Sequence, residues 1–287
     1  MKGINNMPLN SANIALKPVF KWVGGKRQLL GQLNKYAPKY YETYFEPFIG
    51  GGAFLLDLQP SKAVINDINV ELINVYQVIK DNPEALIANL KVHQKYNSRE
   101  YYLKLREVDR NGTIDDYNAI QRAARILYML RVDFNGLYRV NRKGQFNVPY
   151  GKYKNPNIVN AKNIRDLNYY FNHNDIQIMN TDFECAVMNA KKNDFVYFDP
   201  PYIPLTSTAS FTSYTNNGFN LDDQKRLAKL FFKLSQKGVS IMESNSDTLL
   251  TRQLYSNANI HVVKAKRAIN SNVTKRGAVN ELIITNY

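Results

Sequence analysis

Short apolar runs that end in turn residues occur in the first third of the chain. The run at 44–48 leads into three successive glycines at 50–52, and a second apolar run covers 63–67. After it, apolar residues recur every three or four positions over 70–80, which is typical of a helix with one buried face. Strand, glycine turn, helix and strand in this order predict an α/β fold with a parallel sheet.

The same alternation returns in the second half of the chain. A polar segment with helical periodicity lies between short apolar runs, as expected for strands joined by crossover helices. We predict strands at 176–179, 195–198, 239–242, 260–263 and 281–285, and a helix at 221–235.

The middle of the chain has a different pattern. Residues 83–132 have helical periodicity, whereas 133–156 contain Asn135-Gly136, Lys143-Gly144 and interspersed aromatic residues, which favour a β-hairpin with long loops. We therefore expect a mostly helical insertion over 81–170.

The remaining segments, 17–80 and 171–287, should together form the α/β domain that this insertion interrupts. Residues 1–16 are polar and rich in asparagine, and they lack the pattern of a secretory signal. We expect them to form a flexible leader.

The charge balance adds a function class to this outline. Thirty-eight lysines and arginines against 24 acidic residues give a net charge of +14, which attracts polyanions such as nucleic acids. The alternative is a composition inherited from an AT-rich genome. Basic residues recur at 21–27, 139–154 and 264–276, which favours a folded basic surface over a charged tail.

Other counts narrow the setting of the protein. The single cysteine, Cys185, fits a reducing cytoplasm. No apolar run has the length needed to cross a bilayer, so we expect no membrane association. The three histidines lack the spacing of metal ligands, and we expect no metal site.

The clearest candidate for chemistry is Asp199-Pro200-Pro201-Tyr202, which directly follows the apolar run 195–198. Ligands of α/β folds bind at the carboxyl ends of strands. The Asp199 carboxylate and the Pro200 carbonyl can accept both N–H bonds of an amine on a flat ring, on which Tyr202 can stack. Accepting these bonds out of the ring plane would localise the lone pair for attack on a methyl group. The alternative is an ordinary proline turn.

The glycine turn at 50–52 is a candidate cofactor loop, because glycines let a ligand approach the backbone closely. A dinucleotide fingerprint requires glycine where Leu55 stands, and neither glycine run has the spacing of a phosphate-binding loop. These exclusions favour a cofactor without a pyrophosphate. Asp67, after the second predicted strand, could accept hydrogen bonds from ribose hydroxyls, cap the next helix, or do both.

Two further segments could contact such a cofactor. Trp22 stands between Lys21 and Lys26, where its ring would suit a sulfonium or an adenine; the alternative is a basic turn with Trp22 in the core. Asp182 could bond an adenine amine while Phe183 packs on its ring; the alternative is an N-cap of the following helix.

Residues 131–154 interleave basic and aromatic side chains on the predicted hairpin. Arginine can bond guanine through two hydrogen bonds, and aromatic side chains can wedge into a base stack. The segment is therefore a candidate for reading DNA. The alternative is a surface hairpin with solvated charges.

Together these motifs resemble the Dam-like, class D12 DNA adenine-N6 methyltransferases, and most closely the DpnII-type modification enzymes. The shared order is Lys-Trp-x-Gly-Gly-Lys, Phe-Glu-Pro-Phe-x-Gly-Gly-Gly, a recognition insertion and Asp-Pro-Pro-Tyr, over about residues 17–287. One tetrapeptide would be weak evidence, but four motifs in this order are highly specific.

The resemblance implies a Rossmann-like methyltransferase sheet with an antiparallel strand near its end, and it makes 81–170 the target-recognition domain. It implies transfer of a methyl group from S-adenosylmethionine to adenine N6 in double-stranded GATC, with S-adenosylhomocysteine as product and no metal. The target base would be flipped out of the duplex into the pocket of the Asp-Pro-Pro-Tyr motif.

The residue roles follow from the motifs and the resemblance together. The residues expected to hold the target adenine are Asp199, Pro200 and Tyr202. Those expected to line the cofactor are Trp22, Lys26, Phe48, Gly50, Gly52, Asp67, Asp182, Phe183 and Asp199. Those expected to contact DNA are Lys21, Phe134, Asn135, Arg139, Pro149 and Tyr153.

Several alternatives stay open on sequence alone. The tetrapeptide chemistry also suits cytosine N4, RNA adenine or a protein glutamine, and a non-catalytic DNA-binding protein is a further alternative. A cytosine-C5 enzyme is disfavoured, because it needs a thiol nucleophile and Cys185 is far in sequence from both motifs. We expect a bacterial or phage-encoded monomer or weak dimer, and the resemblance leaves room for a separately acting cognate restriction endonuclease.

Overall fold

The computed structural model describes residues 15–203, 219–266 and 278–287. Its centre is a mixed sheet. The strands are β1 (Tyr44–Glu46), β2 (Lys62–Asn66), β3 (Asp175–Met179), β4 (Phe195–Phe198), β5 (Ser240–Ser246), β6 (Asn259–Lys266) and β7 (Ala278–Thr285). Each contains or overlaps a run that was predicted as a strand from its apolar residues.

The strand order in the sheet is β3-β2-β1-β4-β5-β7-β6. The first five strands of the chain pair in parallel, whereas β7 lies antiparallel between β5 and β6. This arrangement confirms the expected Rossmann-like methyltransferase sheet with an antiparallel strand near its end. The sequence order reverses beside β1, where β4 pairs with it on the other side, and ligands of such sheets bind at this kind of crevice.

Helices cover both faces of the sheet. They are α1 (Leu30–Tyr36), α2 (Ala53–Leu58), α3 (Val70–Asp81), α4 (Pro83–Tyr96), α5 (Arg99–Glu107), α6 (Ala119–Val132), α7 (Ala161–His173), α8 (Phe183–Ala186), α9 (Leu221–Gln236) and α10 (Leu249–Leu254). Alternate residues of the strands therefore pack into two hydrophobic cores, one on each face of the sheet. Tyr197 points into one with Tyr76, and Phe198 into the other with Phe231. All four residues of β4 are buried, which explains its unbroken apolar run.

Helices α4, α5 and α6 and part of α7 lie within residues 81–170, the range of the predicted insertion. Helices α4 and α6 pack against each other, and α6 also packs against α3. A capping box at Asn118 starts α6, whose apolar positions are buried almost throughout. Helix α7 crosses residue 170 and packs against α3 and β3, so it lies with the sheet.

Residues 133–156, which we call the arm, follow the antiparallel course of the expected hairpin. Isolated bridges join Asp133 to Tyr150 and Val140 to Phe146. The pairing stays local, since the arm begins with a tight turn at Phe134–Gly136 in which Asn135 has a φ of 65°. Regular strands are therefore replaced by two short contacts along a turn-rich segment.

Two expectations about the ends of the chain concern few described residues. Residues 1–14 of the expected leader and 267–276 of the third basic cluster lie outside the described residues. Leu16, at the end of that leader, is buried in the core. In the part of the chain that the structure describes, no helix is both long and apolar enough to span a membrane.

Candidate active site

The loop that follows β4 is anchored on both sides. The carbonyl of Pro201 accepts a hydrogen bond from Nε2 of Gln224 in α9, at 2.8 Å. At Ile203, the N–H donates to Oδ1 of Asn245 at 3.4 Å and the carbonyl accepts from Oγ of Ser246 at 2.5 Å. These polar side chains from α9 and β5 hold the Asp-Pro-Pro-Tyr segment in place, although the sequence analysis did not single them out.

Asp199 lies at the carboxyl end of β4, facing a buried ammonium group. Nζ of Lys26 is 2.7 Å from Oδ1 of Asp199, and it also donates to the carbonyl of Gly24 at 2.7 Å. The same Nζ sits 4.5 Å from the centre of the Tyr202 ring. The structure thus brings together Asp199, Tyr202 and Lys26, with Pro200 buried between the first two. All four were expected at the site.

The charge of Asp199 depends on its surroundings. Burial raises the pKa of its carboxyl to about 6, while Lys26 acts against this rise and Glu281 adds to it. A carboxyl with this pKa is mainly ionised at pH 7, so it can accept two hydrogen bonds there.

Glu281 is a site residue that sequence reasoning missed. It lies on β7 and accepts a hydrogen bond from the Tyr202 hydroxyl at 2.9 Å. The only signal in the sequence was an acidic residue at the start of an apolar run. Nothing local links it to Tyr202, because 79 positions separate the two residues.

The glycine turn after β1 is shaped by contacts that leave no room for side chains. Gly50 and Gly52 have φ angles of 46° and 67°. A Cβ on Gly50 would lie 2.9 Å from Cδ1 of Trp22, and one on Gly52 would lie 2.9 Å from the hydroxyl of Tyr76. Tyr76 also donates to the carbonyl of Gly50 at 2.8 Å. Trp22 and Tyr76 therefore pack directly on the backbone of residues 50–52, a turn that we call the cradle.

Asp67 closes one side of this cradle. Its Oδ2 accepts from the N–H of Gly50 at 3.1 Å and its Oδ1 from the N–H of Asn69 at 3.0 Å. Burial raises the pKa of the Asp67 carboxyl, and these two hydrogen bonds act in the opposite direction. The alternative role of Asp67 as a helix cap is wrong, because Asn69 caps α3 by accepting from the N–H of Leu72.

Trp22 covers the cradle from outside. It is half-buried, and its ring stacks on Tyr138 of the arm, with centroids 5.0 Å apart and planes at 27°. It packs partly against the main core, as the alternative interpretation of this residue expected, while contact with a cofactor stays a prediction.

Asp182 and Phe183 start α8 at the same edge of the sheet. Asp182 caps the helix by accepting from the N–H of Glu184, which confirms its expected alternative role, and it pairs with Arg226 at 3.0 Å. Phe183 stacks on Phe48, with centroids 5.4 Å apart, and the guanidinium of Arg226 lies 4.9 Å from its ring. Phe48 and Phe183 thus form an aromatic floor beside the glycine turn.

Asn66, a second missed residue, ties these segments together. Its Nδ2 donates to the carbonyls of Pro47 and Thr181, both at 3.0 Å, and its Oδ1 accepts from the N–H of Thr181 at 2.9 Å. One buried amide therefore fixes the loops that follow β1 and β3 next to its own position at the end of β2. The expected cofactor residues meet at one edge of the sheet.

The expected DNA-contacting residues lie along the arm and at its base. The N–H of Phe134 donates to the carbonyl of Pro149 at 2.9 Å. Arg139 donates through Nε to Oδ1 of Asn147 at 2.7 Å. Lys21 packs so close to Gly136 that a Cβ on this glycine would lie 3.0 Å from the lysine stem. All six residues of this set are exposed: Lys21, Phe134, Asn135, Arg139, Pro149 and Tyr153.

No group of three or more metal-ligating side chains lies together among the described residues. The exposed Cys185 lies on α8.

Comparison with known proteins decides between the alternatives that this geometry leaves open. The model of the D12 class of N6 adenine-specific DNA methyltransferases matches residues 22–269. A Lactococcus lactis subsp. cremoris protein, type II methyltransferase M1.LlaDCHI, is 56% identical over 279 residues, covering 97% of this chain and 98% of the relative. The chain belongs to the D12 class of N6 adenine-specific DNA methyltransferases.

More distant relatives extend the likeness across bacteria and archaea. Type II methyltransferase M.MjaIII of Methanocaldococcus jannaschii is 41% identical, with 95% of this chain and 99% of the relative covered. The DNA adenine methylase of Escherichia coli (strain K12) is 37% identical, with 92% of each chain covered. Membership of the D12 class makes the chain an enzyme of DNA adenine methylation, in preference to the cytosine, RNA, protein and non-catalytic alternatives.

Proposed function

We propose that this D12 enzyme transfers a methyl group from S-adenosylmethionine to adenine N6 in double-stranded GATC sites, after the base has flipped out of the duplex. The observation that carries the proposal is the meeting of Asp199, Lys26 and Tyr202 in a buried site beside the glycine cradle. An acceptor group, an aromatic face and a backbone cradle lie together, as transfer between a flat amine and a cofactor without a pyrophosphate requires.

The cradle fits the proposed cofactor. Because Gly50 and Gly52 have no side chains, Trp22 and Tyr76 pack directly against the backbone of the turn, which places the Trp22 ring where it can contact a bound cofactor. The half-buried Asp67 carboxylate suits ribose hydroxyls, and Phe48 with Phe183 suits a purine ring. Trp22, Lys26 and Asp182 complete this proposed lining. S-adenosylmethionine, when bound, supplies an electrophilic methyl group on its sulfonium.

The chain's own residues would prepare the amine. Asp199 and the carbonyl of Pro200 accept the two N–H bonds of N6, which draws the lone pair out of conjugation with the ring. Tyr202 stacks on the base, and its hydrogen bond to Glu281 keeps the ring in one orientation. Lys26 neutralises Asp199 until the amine arrives. Asp199 then holds the proton that the methylated amine releases, before it passes to water.

The decisive experiment measures methyl transfer from labelled S-adenosylmethionine to a GATC duplex and to a duplex with a mutated site. We expect label in N6-methyladenine of GATC alone. Asp199→Ala should lower turnover by at least about 100-fold, since it removes an electrostatic partner of the reacting group. DNA binding should largely survive. The matched control is Asp175→Ala, which removes an exposed carboxylate at the opposite end of β3.

Each part of the proposal has its own contradicting result. Retained turnover in Asp199→Ala would remove Asp199 from the mechanism. Equal label in both duplexes would contradict the GATC site, and label in neither would contradict the reaction. A 2-aminopurine at the target position should brighten on binding if the base leaves the stack, and unchanged emission would contradict base flipping.

Sequence preference is assigned to the arm, with Lys21, Phe134, Asn135, Arg139, Pro149 and Tyr153 as its DNA contacts. We expect Arg139→Ala to lower affinity for GATC by about 1–3 kcal/mol while affinity for other DNA changes little. The control is Arg142→Ala on the same arm, an exposed residue that should weaken binding equally on all sequences. An equal loss in Arg139→Ala would assign this residue to phosphate contact instead.

The proposed setting is the cytoplasm of a bacterium or its phage, with double-stranded DNA as partner and a cognate restriction endonuclease acting separately. The names of two relatives as type II methyltransferases support such a pairing. Genomic DNA from cells that express this protein should resist cleavage by a GATC-specific endonuclease that adenine methylation blocks. Cleavage of that DNA would contradict the protective role.

A further inference from the structure

Tyr138 connects the arm to two separate parts of the proposed cofactor site. Its ring stacks on Trp22 with centroids 5.0 Å apart. Burial raises the pKa of its phenol, and the neighbouring Asn69 side chain acts against this rise. These contacts are independent of each other, because Trp22 precedes the glycine turn in sequence and Asn69 follows β2.

Both partners of Tyr138 touch the cradle directly. Trp22 packs on the glycine turn so closely that a Cβ on Gly50 would lie 2.9 Å from its ring. Asn69 donates its backbone N–H to Oδ1 of Asp67 at 3.0 Å. A ligand that orders the cradle therefore also orders both surfaces on which Tyr138 rests.

On its other side, Tyr138 is part of the arm. It packs edge-on against Phe146, with centroids 5.8 Å apart, and it is the neighbour of Arg139 in sequence. Arg139 is in turn joined to Asn147, the neighbour of Phe146, through its side chain and through a backbone bond. The position of Tyr138 thus sets the position of the residues proposed to read DNA.

We propose that Tyr138 is a positioning residue that couples cofactor binding to DNA recognition. This inference rests on the proposed function, since it takes the cradle as the cofactor site and the arm as the DNA reader. A bound cofactor fixes Trp22 and Asn69, these fix Tyr138, and Tyr138 fixes the arm. Coupling between two sites is reciprocal, so GATC DNA must raise cofactor affinity by the same factor.

The test compares affinity for a GATC duplex with and without saturating S-adenosylhomocysteine, which permits binding but no turnover. The ratio of the two dissociation constants is the coupling factor, and such factors are typically about 5 to 150. We expect a factor in this range for the wild type and a factor near one for Tyr138→Ala. Tyr138→Phe keeps the stacking on Trp22 and should keep most of the coupling.

Tyr153→Ala is the matched control. It removes an exposed tyrosine of the arm, 41% accessible, which is placed at the DNA. It should weaken DNA binding with and without S-adenosylhomocysteine alike, leaving the coupling factor at its wild-type value.

Trp22 supplies a second readout, since it is the single tryptophan of the chain. Binding of GATC DNA should change its emission in the wild type and in Tyr138→Phe, and much less in Tyr138→Ala. Melting temperatures of all variants identify any loss of folding. If Tyr138→Ala unfolds, Tyr138→Phe still tests the proposal. An emission change that is present in the wild type but absent in Tyr138→Phe would overturn coupling through the stacked rings.

The outcomes separate this inference from the function beneath it. If the wild type methylates GATC and binds S-adenosylhomocysteine, but Tyr138→Ala retains the wild-type coupling factor, the inference alone is overturned. The same holds if the wild type has a factor of one. If the wild type neither methylates GATC nor binds the product, the proposed function itself is overturned.

Discussion

At the scale of single residues, two charged side chains act on Asp199 with opposite signs. Lys26 lowers the pKa of this carboxyl, and Glu281 raises it. Burial, the largest cause, raises it to about 6. Because only the ionised carboxylate can take up the proton that the methylated amine releases, the reaction should slow as pH falls through this value.

Two substitutions should move this pH dependence in opposite directions. Glu281→Gln removes a negative charge but keeps an acceptor for Tyr202, so the acid limb of kcat/KM should move to lower pH. Lys26→Gln removes the counter-charge, so the limb should move to higher pH. The measurement is kcat/KM for a GATC duplex between about pH 5 and 8.

The control for both is Glu42→Gln, which alters an exposed carboxyl paired with Lys191 and should leave the profile unchanged. Shifts of the same sign in Glu281→Gln and Lys26→Gln would contradict the assignment of the acid limb to Asp199.

At the scale of elements, the turn between β1 and α2 depends on backbone conformations that side chains rarely adopt. We expect Gly50→Ala to strain the turn by about 1–3 kcal/mol and to push Trp22 off the cradle. Affinity for S-adenosylhomocysteine should then fall by at least about tenfold, since each 1.4 kcal/mol is a factor of ten. Calorimetric titration measures this loss.

Gly31→Ala makes the same chemical change in a different place. Gly31 lies in α1, where nothing stands within 4 Å of an added Cβ. An alanine there should stabilise the helix by up to about 1 kcal/mol and leave cofactor affinity unchanged. Equal cofactor affinity in Gly50→Ala and Gly31→Ala would show that the turn is not the cofactor loop.

The elements themselves could be predicted from sequence where one pattern determines them. The run 195–198 is buried on both faces, so its continuous apolar residues sufficed to place β4. The helix α3 was placed by its apolar periodicity. The arm was harder, because Asn135-Gly136 begins a tight turn there instead of closing a regular hairpin.

The candidate site was predictable only where its residues are contiguous in a motif. Asp199 and Tyr202 share a tetrapeptide, and Gly50 shares a turn with Gly52. Glu281 and Tyr138 instead reach the site through contacts across the fold, at Tyr202 and Trp22. A sequence shows no local pattern for such pairs, since only the assembled sheet brings them together.

At the scale of the whole molecule, the interior holds several carboxyl groups whose pKa is raised by burial. They include Glu46, Asp67, Asp133, Asp199 and Glu243. For Glu243, burial raises the pKa from 4.5 to about 8. The folded chain then binds more protons than the unfolded chain between these two values, so the stability from this group is present below pH 4.5 and is lost as pH rises towards 8.

We therefore expect Glu243→Gln to change the pH dependence of unfolding. The neutral amide has no proton to lose, so the variant should gain stability relative to the wild type as pH rises from 5 towards 8. Denaturant unfolding at several pH values measures this difference. Glu107→Gln, at an exposed position of α5, should run parallel to the wild type. A parallel course for Glu243→Gln would mean that this carboxyl is ionised in the fold.

The place of β7 has a consequence for the order in which the enzyme is assembled. This strand follows β6 along the chain, yet it lies between β5 and β6 in the sheet. While the polypeptide is still being synthesised, β6 has no strand to dock on, and Tyr202 lacks the acceptor at Glu281. The surroundings of Tyr202 are therefore complete only after β7 has been synthesised and has paired with β5.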